Sequence, residues 1–237
     1  KIVRNPKSYN SQIGVALSVW QMDKNYDLGI FEAGISQPGE MERLREIIQP
    51  EVGIFTNIGS AHQENFKSLN QKVREKLELF KQVHYLIYNG DVEVISEEIE
   101  SCMDRSRCLI WGTSTHADLR ILEQSQRSGN TYIKGVFKSS EVKVTIPFED
   151  GASIENAMHC WMYLLYRNYS QSEIQKRFNA LEPIAMRLEQ KEGVDGSVIL
   201  NDAYNSDPKA LEIALDYLGR LQKRKKTVIL SDILQSG

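Results

Sequence analysis

The 237 residues are 41% hydrophobic and 26% charged, a composition that supplies enough apolar material for one large domain or two smaller ones. Lys plus Arg number 29 against 32 Asp plus Glu, a formal charge of -3, so no global basic field points to nucleic acid or to a membrane surface. No apolar run approaches the roughly 20 residues of a membrane span, and the three cysteines, Cys102, Cys108 and Cys160, show neither CxxC nor zinc-finger spacing, as expected of reduced thiols in a cytoplasmic protein.

Lys1–Val3 reads as the end of a strand rather than a natural start, so a fragment is expected. The polar, turn-rich loop from Arg4 to Gly14 follows, suited equally to facing phosphate or to forming a plain surface turn, and Val15–Met22 continues as an apolar helix-like run. Leu28–Phe31 has the character of a short buried strand ending on Glu32. Ser36-Gln37-Pro38 then opens a helix with Met41, Leu44, Ile47 and Ile48 on its apolar face.

Val52–Thr56 repeats the strand pattern and runs into Asn57-Ile58-Gly59-Ser60, with His62 and Glu64 close behind. Ser68 and Gln71 have capping-box spacing, and Leu69, Val73, Leu77, Phe80 and Val83 recur at helical spacing. At about 100° per residue, Lys76 falls in the middle of that apolar stripe. Most lysines at a stripe's edge extend their charge to water. At its centre, burial would pull the pKa down and leave a neutral amine able to react, for instance with carbon dioxide to give a carbamate. His84–Tyr88 ends this unit as a third strand, finishing on Asn89.

Strands alternating with amphipathic helices predict an α/β fold with a mostly parallel sheet flanked by helices, whose ligands gather beyond the carboxyl ends of the strands. Glu32, Asn57, His62 and Glu64 would share that rim, either as ligands of a divalent metal or as unrelated rim residues. Cys108–Trp111, Thr131–Phe137 and Glu141–Pro147 are expected to form a small antiparallel subsheet. A helix follows from Ile154 to Tyr169, with Asn156 in its first turn as a cap, a surface residue or a reader of an adenine edge. A second capping box, Ser170 and Glu173, precedes Ile174, Phe178 and Leu181. Arg187 lies in a loop, and Gly193–Gly196 reads as a hinge or turn. Ser197–Leu200, a helix capped by Asp207 and begun by Pro208, and a strand at Thr227–Leu230 look like a Rossmann-like β-α-β unit cut short. The predicted boundaries are 1–191 for a central domain and 192–237 for the truncated start of a C-terminal one.

Asn10–Gly14, Glu32–Glu40, Thr56–His62, Glu75–Glu78 and Asp202–Pro208, in that order, resemble the Mur ligases along nearly the whole chain. The wording of Pro38–Met41 and Ala203–Pro208 is most similar to the members that add D-alanyl-D-alanine to a UDP-N-acetylmuramoyl-tripeptide in peptidoglycan precursor synthesis. Ser8–Gly14 is similar to a bacteroidete form fused to an alanine racemase. The resemblance implies ATP and two Mg2+ ions as cofactors, with Glu32 and His62 as metal ligands and Lys76 carbamylated to reach the second ion. It also implies Asn156 at the adenine, Arg187 at the phosphates, Asp202 at the ribose with Tyr204 and Asn205 in the same signature, and Asn10 facing the substrate. Catalysis would fall to Lys76, His62 and Arg187.

One departure stands out: the family's phosphate loop, ending in Gly-Lys-Thr or Gly-Lys-Ser, is absent from these residues, and the isolated chain is expected to be inactive. Two alternatives remain at this point. A folylpolyglutamate or cyanophycin synthetase would share the architecture, and a non-catalytic module would keep the fold without the phosphate loop.

Overall fold

The computed structural model describes all residues except 60–61, 183–187, 204–207, 224 and 231–237. They fall into two compact units, one comprising Lys1–Ile58 and His62–Leu109, the other comprising Gly59 and the described residues from Ile110 onward.

The first unit is built from strand-helix repeats. Strand β1 (Ile2–Arg4) leads to α1 (Gln12–Val19), which starts three residues before the apolar run that predicts it. The Ser11 hydroxyl accepts the Gly14 N–H at 3.2 Å and caps the helix, a signal hidden inside the polar loop. Strand β2 (Leu28–Ile30) pairs in parallel with β1. Helix α2 (Glu40–Ile48) begins after Pro38 rather than at it. The Glu40 carboxylate turns back to accept the backbone N–H of Ser36 at 2.6 Å and of Gln37 at 2.9 Å, satisfying donors ahead of the first turn.

Strand β3 (Val52–Phe55) is followed by a 3-10 turn at Gln63–Asn65 and by α3 (Leu69–Glu78). Ser68 caps α3 as expected, but the Gln71 side chain reaches the N–H of Lys67 instead of that of Ser68. Strand β4 (Tyr85–Asn89) pairs in parallel with β3, and Leu86, Ile87 and Tyr88 are fully enclosed. An unforeseen helix, α4 (Glu93–Cys102), packs on α3 and β4 and buries Ile95 and Ile99.

Strand β5 (Cys108–Gly112) carries the chain into the second unit, where it pairs in parallel with β6 (Leu119–Arg127). The antiparallel ladder consists of β6, β7 (Asn130–Phe137) and β8 (Ser140–Ile146). This corrects the expectation that β5 belongs to it. Beyond Leu119, β6 is almost wholly exposed and polar, so it gives no alternating signal. Helix α5 (Gly151–Tyr166) is capped by Asp150 and buries Trp161 and Met162 completely. Helix α6 (Gln171–Phe178) carries the expected capping box at Ser170. Its Gln171 and Gln175 accept the N–H groups of Lys143 and Thr145 at 3.0 and 2.8 Å, protecting the free edge of β8.

The remaining elements are β9 (Glu189–Glu192), antiparallel to β10 (Val198–Asn201), and α7 (Pro208–Arg220). The Asp207 cap proposed for α7 lies outside the described residues. Thr227–Leu230 forms no strand, and Val228, Ile229 and Leu230 are exposed.

Candidate functional site

Every residue of the candidate centre that the structure brings together lies in the first unit. Lys76 occupies the last turn of α3, half-buried, and its ammonium donates to the backbone carbonyl of Asn57 at 3.0 Å, just past β3. The Phe55 ring lies 5.4 Å from the Lys76 Nζ, a cation-π contact that partly replaces lost water. Desolvation brings the Lys76 pKa down to about 8; the Lys72 charge pushes the same way, and the Glu32 carboxylate resists. Near neutral pH a sizeable minority of this amine is therefore unprotonated.

Glu32 stands two residues beyond β2, and its Oε1 accepts the Asn10 side-chain amide at 2.8 Å. Asn5 fastens the same segment, accepting the Glu32 N–H at 2.8 Å and donating to the carbonyls of Tyr9 and Glu32. The loop from Asn5 to Asn10 thus orients Glu32. Two glycines permit the approach. A Cβ on Gly14 would sit 2.8 to 2.9 Å from the Tyr9 backbone, and one on Gly34 would be 3.3 Å from Asn10.

His62 adopts left-handed φ of 58° ahead of the 3-10 turn, and its Nδ1 is 4.0 Å from the Glu64 carboxylate. Burial opposes ionisation of Glu40, but the N–H groups of Ser36 and Gln37, the Ser36 hydroxyl and the His62 charge together hold its carboxyl below the usual range. Glu75 accepts the Gly39 N–H at 2.6 Å and so ties α3 to the start of α2.

A divalent ion, as the sequence resemblance implies, asks for carboxylate, imidazole or neutral oxygen donors. Glu32 and His62 are of that kind. The Gln63 Oε1, next in the chain to His62, is buried and accepts no hydrogen bond among the described residues. Among those residues no three His, Cys, Asp or Glu side chains converge, so an ion here would draw further oxygens from a phosphate or from a modified Lys76. The residues present fit on that basis.

The other residues expected from sequence fare differently. Asn156 is exposed on α5; since that helix begins at Gly151, Asn156 falls in the second turn, and Asp150 performs the capping that was one reading of it. Asp202, directly after β10, accepts the Leu188 N–H at 3.0 Å and fixes the approach to β9. Arg187, Tyr204 and Asn205 lie outside the described residues. Lys72 was missed: it is 3% exposed, deeper than Lys76, with its Nζ 5.7 Å from the Phe66 ring. Its signal was present, since a lysine four positions before Lys76 shares its helix face.

Parallel strand pairs, with Glu32 and Asn57 two residues past the ends of β2 and β3, define the class, and residues 1–164 match the Mur ligase middle domain. The chain belongs to the Mur ligase family. It is 30% identical over 236 residues to the UDP-N-acetylmuramoyl-tripeptide--D-alanyl-D-alanine ligase of Bacillus subtilis, the match covering 97% of this chain and 50% of that protein. Among solved structures, MurF from Acinetobacter baumannii superimposes with a TM-score of 0.79 at 20% identity, over 93% of this chain and 48% of that one. MurF from Thermotoga maritima in complex with ADP gives 0.76 at 22% identity, over 92% and 51%. The chain spans about half the length of the curated relatives it matches.

Proposed function

We propose that the protein to which this chain belongs is an ATP-dependent ligase that joins D-alanyl-D-alanine to UDP-N-acetylmuramoyl-tripeptide, and that the chain supplies the wall of its ATP and metal site. The observation that carries this reading is Lys76, a half-buried amine held at Asn57 with Glu32 in electrostatic reach. That arrangement costs stability and suits a chemical role. Similarity to the Bacillus subtilis ligase supports the substrate pair. Residues 1–191 would form the central ATP-binding domain and 192–237 the start of the C-terminal one. The fused alanine racemase and the cytoplasmic location belong to the same reading; among the described residues no helix is long and apolar enough to cross a membrane.

In this mechanism the tripeptide carboxylate attacks the γ-phosphorus of ATP and ADP leaves, giving an acyl phosphate. The amine of D-alanyl-D-alanine then adds to the acyl carbon, and phosphate departs from the tetrahedral intermediate. Glu32 and His62 would hold Mg2+, with Lys76 as its carbamate reaching a second ion, and the ions would neutralise charge on the transferring phosphoryl group. Asn10 orients the Glu32 carboxylate, Asn57 and Phe55 fix the Lys76 chain, and Arg187 would compensate phosphate charge. Asn156 is proposed at the adenine and Asp202, Tyr204 and Asn205 at the ribose; Asn10 is also proposed to face the substrate. Without a Gly-Lys-Thr or Gly-Lys-Ser loop, the isolated 237 residues should not turn over.

The test is phosphate release by the full-length protein given ATP, UDP-N-acetylmuramoyl-tripeptide and D-alanyl-D-alanine. Release that requires the dipeptide supports the reading. Release with a folate and glutamate instead, and none with this pair, would overturn the substrate assignment and leave the family intact.

A further inference from the structure

Glu32 and His62 follow different strands. β2 pairs with β1 and β3 with β4, so the described ladders do not join the segments that bear the two residues. A side-chain amide does. Asn65, three residues after His62, donates its Nδ2 to the backbone carbonyl of Ser36, four residues after Glu32, at 2.9 Å. Both ends of this bond are braced. On one side the Asn65 N–H closes the turn onto the His62 carbonyl at 3.2 Å, the Phe66 N–H reaches the Gln63 carbonyl at 3.0 Å, and the buried Phe66 ring anchors the end of the turn. On the other, the Ser36 N–H and hydroxyl both donate to Glu40, at 2.6 and 2.8 Å. His62 itself, at a φ of 58°, holds a conformation that few residues with a Cβ adopt and that its surroundings must maintain.

We propose that Asn65 is a positioning residue for the metal site: its hydrogen bond to the Ser36 carbonyl holds the turn that bears His62 against the segment that bears Glu32, so that donors following two different strands meet one divalent ion. The inference rests on the reading of Glu32 and His62 as Mg2+ ligands given above. Asn65 is exposed, so water can take the place of its amide at the Ser36 carbonyl, and the Glu32 segment is held separately where Gly39 donates to Glu75 at 2.6 Å. The fold therefore survives the loss of this one bond. What is lost is the arrangement of the donors before the ion arrives, which the ion must then impose at the expense of its own affinity. A net hydrogen bond of about 1 kcal/mol converts to about fivefold in that affinity.

The experiment uses the full-length protein with ADP and takes Mn2+ as the probe, free Mn2+ being read by electron paramagnetic resonance so that binding is measured without turnover. His62→Ala should weaken Mn2+ binding by about tenfold or more. Asn65→Leu, of similar size but without a donor, should weaken it about fivefold, with the ligation kcat recovering as Mg2+ is raised. Asn65→Ala is the second variant should leucine prevent folding. Because Asn65 acts through His62, adding its substitution to His62→Ala should cost less than about twofold further. Equal Mn2+ affinity in wild type and the Asn65 variants overturns the inference. So does a loss of the same size with and without His62, which would make Asn65 a general support of the fold. Unchanged Mn2+ binding in His62→Ala overturns the metal reading of His62 and this inference with it.

Discussion

The Lys76 ammonium donates to the backbone carbonyl of Asn57 across 3.0 Å, linking the last turn of α3 to the residue two places beyond β3. One hydrogen bond to a neutral carbonyl does not repay a desolvated ammonium, and the pKa brought down to about 8 expresses the shortfall. The unfolded chain, with an ordinary lysine near 10.5, binds more protons between those values, so stability contributed by this site rises as pH goes from about 8 to 10.5. Below pH 8 the full cost is present in the folded state. Lys76→Met in metal-free, carbonate-free protein should therefore stabilise it at pH 7, by about 1–2 kcal/mol once partial exposure is discounted. The gain should shrink toward pH 10. Urea melts of both proteins across this range check it, and a gain that grows with pH would be the wrong sign. The same substitution should abolish ligation in the full-length protein.

Gly14 and Gly34 test how the loop reaches Glu32. Alanine in a helix is normally worth about 1 kcal/mol over glycine, yet a Cβ at Gly14 would press on the Tyr9 backbone at 2.8 Å. Gly14→Ala should destabilise by about 2 kcal/mol against the propensity gain. A Cβ at Gly34 meets the Asn10 side chain and carbonyl at 3.3 Å, and Gly34→Ala should cost less, about 1 kcal/mol. Its larger effect should be a looser Asn10 to Glu32 hydrogen bond and weaker Mg2+ affinity in the full-length protein. Denaturant midpoints and a Mg2+ titration of activity distinguish the two variants.

These particulars show what the sequence could reveal. Leu28–Phe31, Val52–Thr56 and His84–Tyr88 are short apolar runs ended by polar residues, so the parallel strands and the rim carrying Glu32, Asn57 and His62 were readable from pattern. Polar β6 and β9 were not, because their stability comes from ladder partners rather than from an alternating face. Ile95 and Ile99 do lie on one face of α4, but acidic neighbours diluted the apolar signal. At the site, Lys76 was visible because it interrupts an apolar stripe. The tie between Asn10 and Glu32 joins residues 22 apart in the chain and depends on loop geometry that spacing does not encode.

Glu98 on α4 accepts the Arg74 guanidinium at 2.6 and 2.9 Å and the Asn70 amide at 2.9 Å, clamping α3 to α4. The Arg74 hydrogen bond is the main cause holding the Glu98 carboxyl below its usual range, against desolvation. A depressed carboxylate pKa adds stability that is fully present above the unfolded value, 4.5, and is lost as pH falls through the lower folded value. Glu98→Gln should thus destabilise at pH 7 by about 1–2 kcal/mol, and the difference from wild type should close at acid pH. Thermal melts from pH 7 to pH 3 follow it; a gap that stays constant would mean the carboxylate charge is irrelevant.

Trp111 on β5 donates its indole N–H to the His159 Nδ1 at 3.0 Å, both side chains buried, their rings meeting edge-on at 5.2 Å. An accepting Nδ1 places any proton of a neutral ring on Nε2, so this histidine joins β5 to α5 as a neutral acceptor. Removing the donor strands a buried nitrogen and also opens space where the larger ring stood. Trp111→Phe should cost about 2–3 kcal/mol, and His159→Phe, which leaves the indole N–H unpaired, a similar amount. If the hydrogen bond matters beyond packing, the double variant should lose less than the two single losses added together. A double-mutant cycle by urea denaturation measures the coupling, and strict additivity would reduce the pair to packing alone.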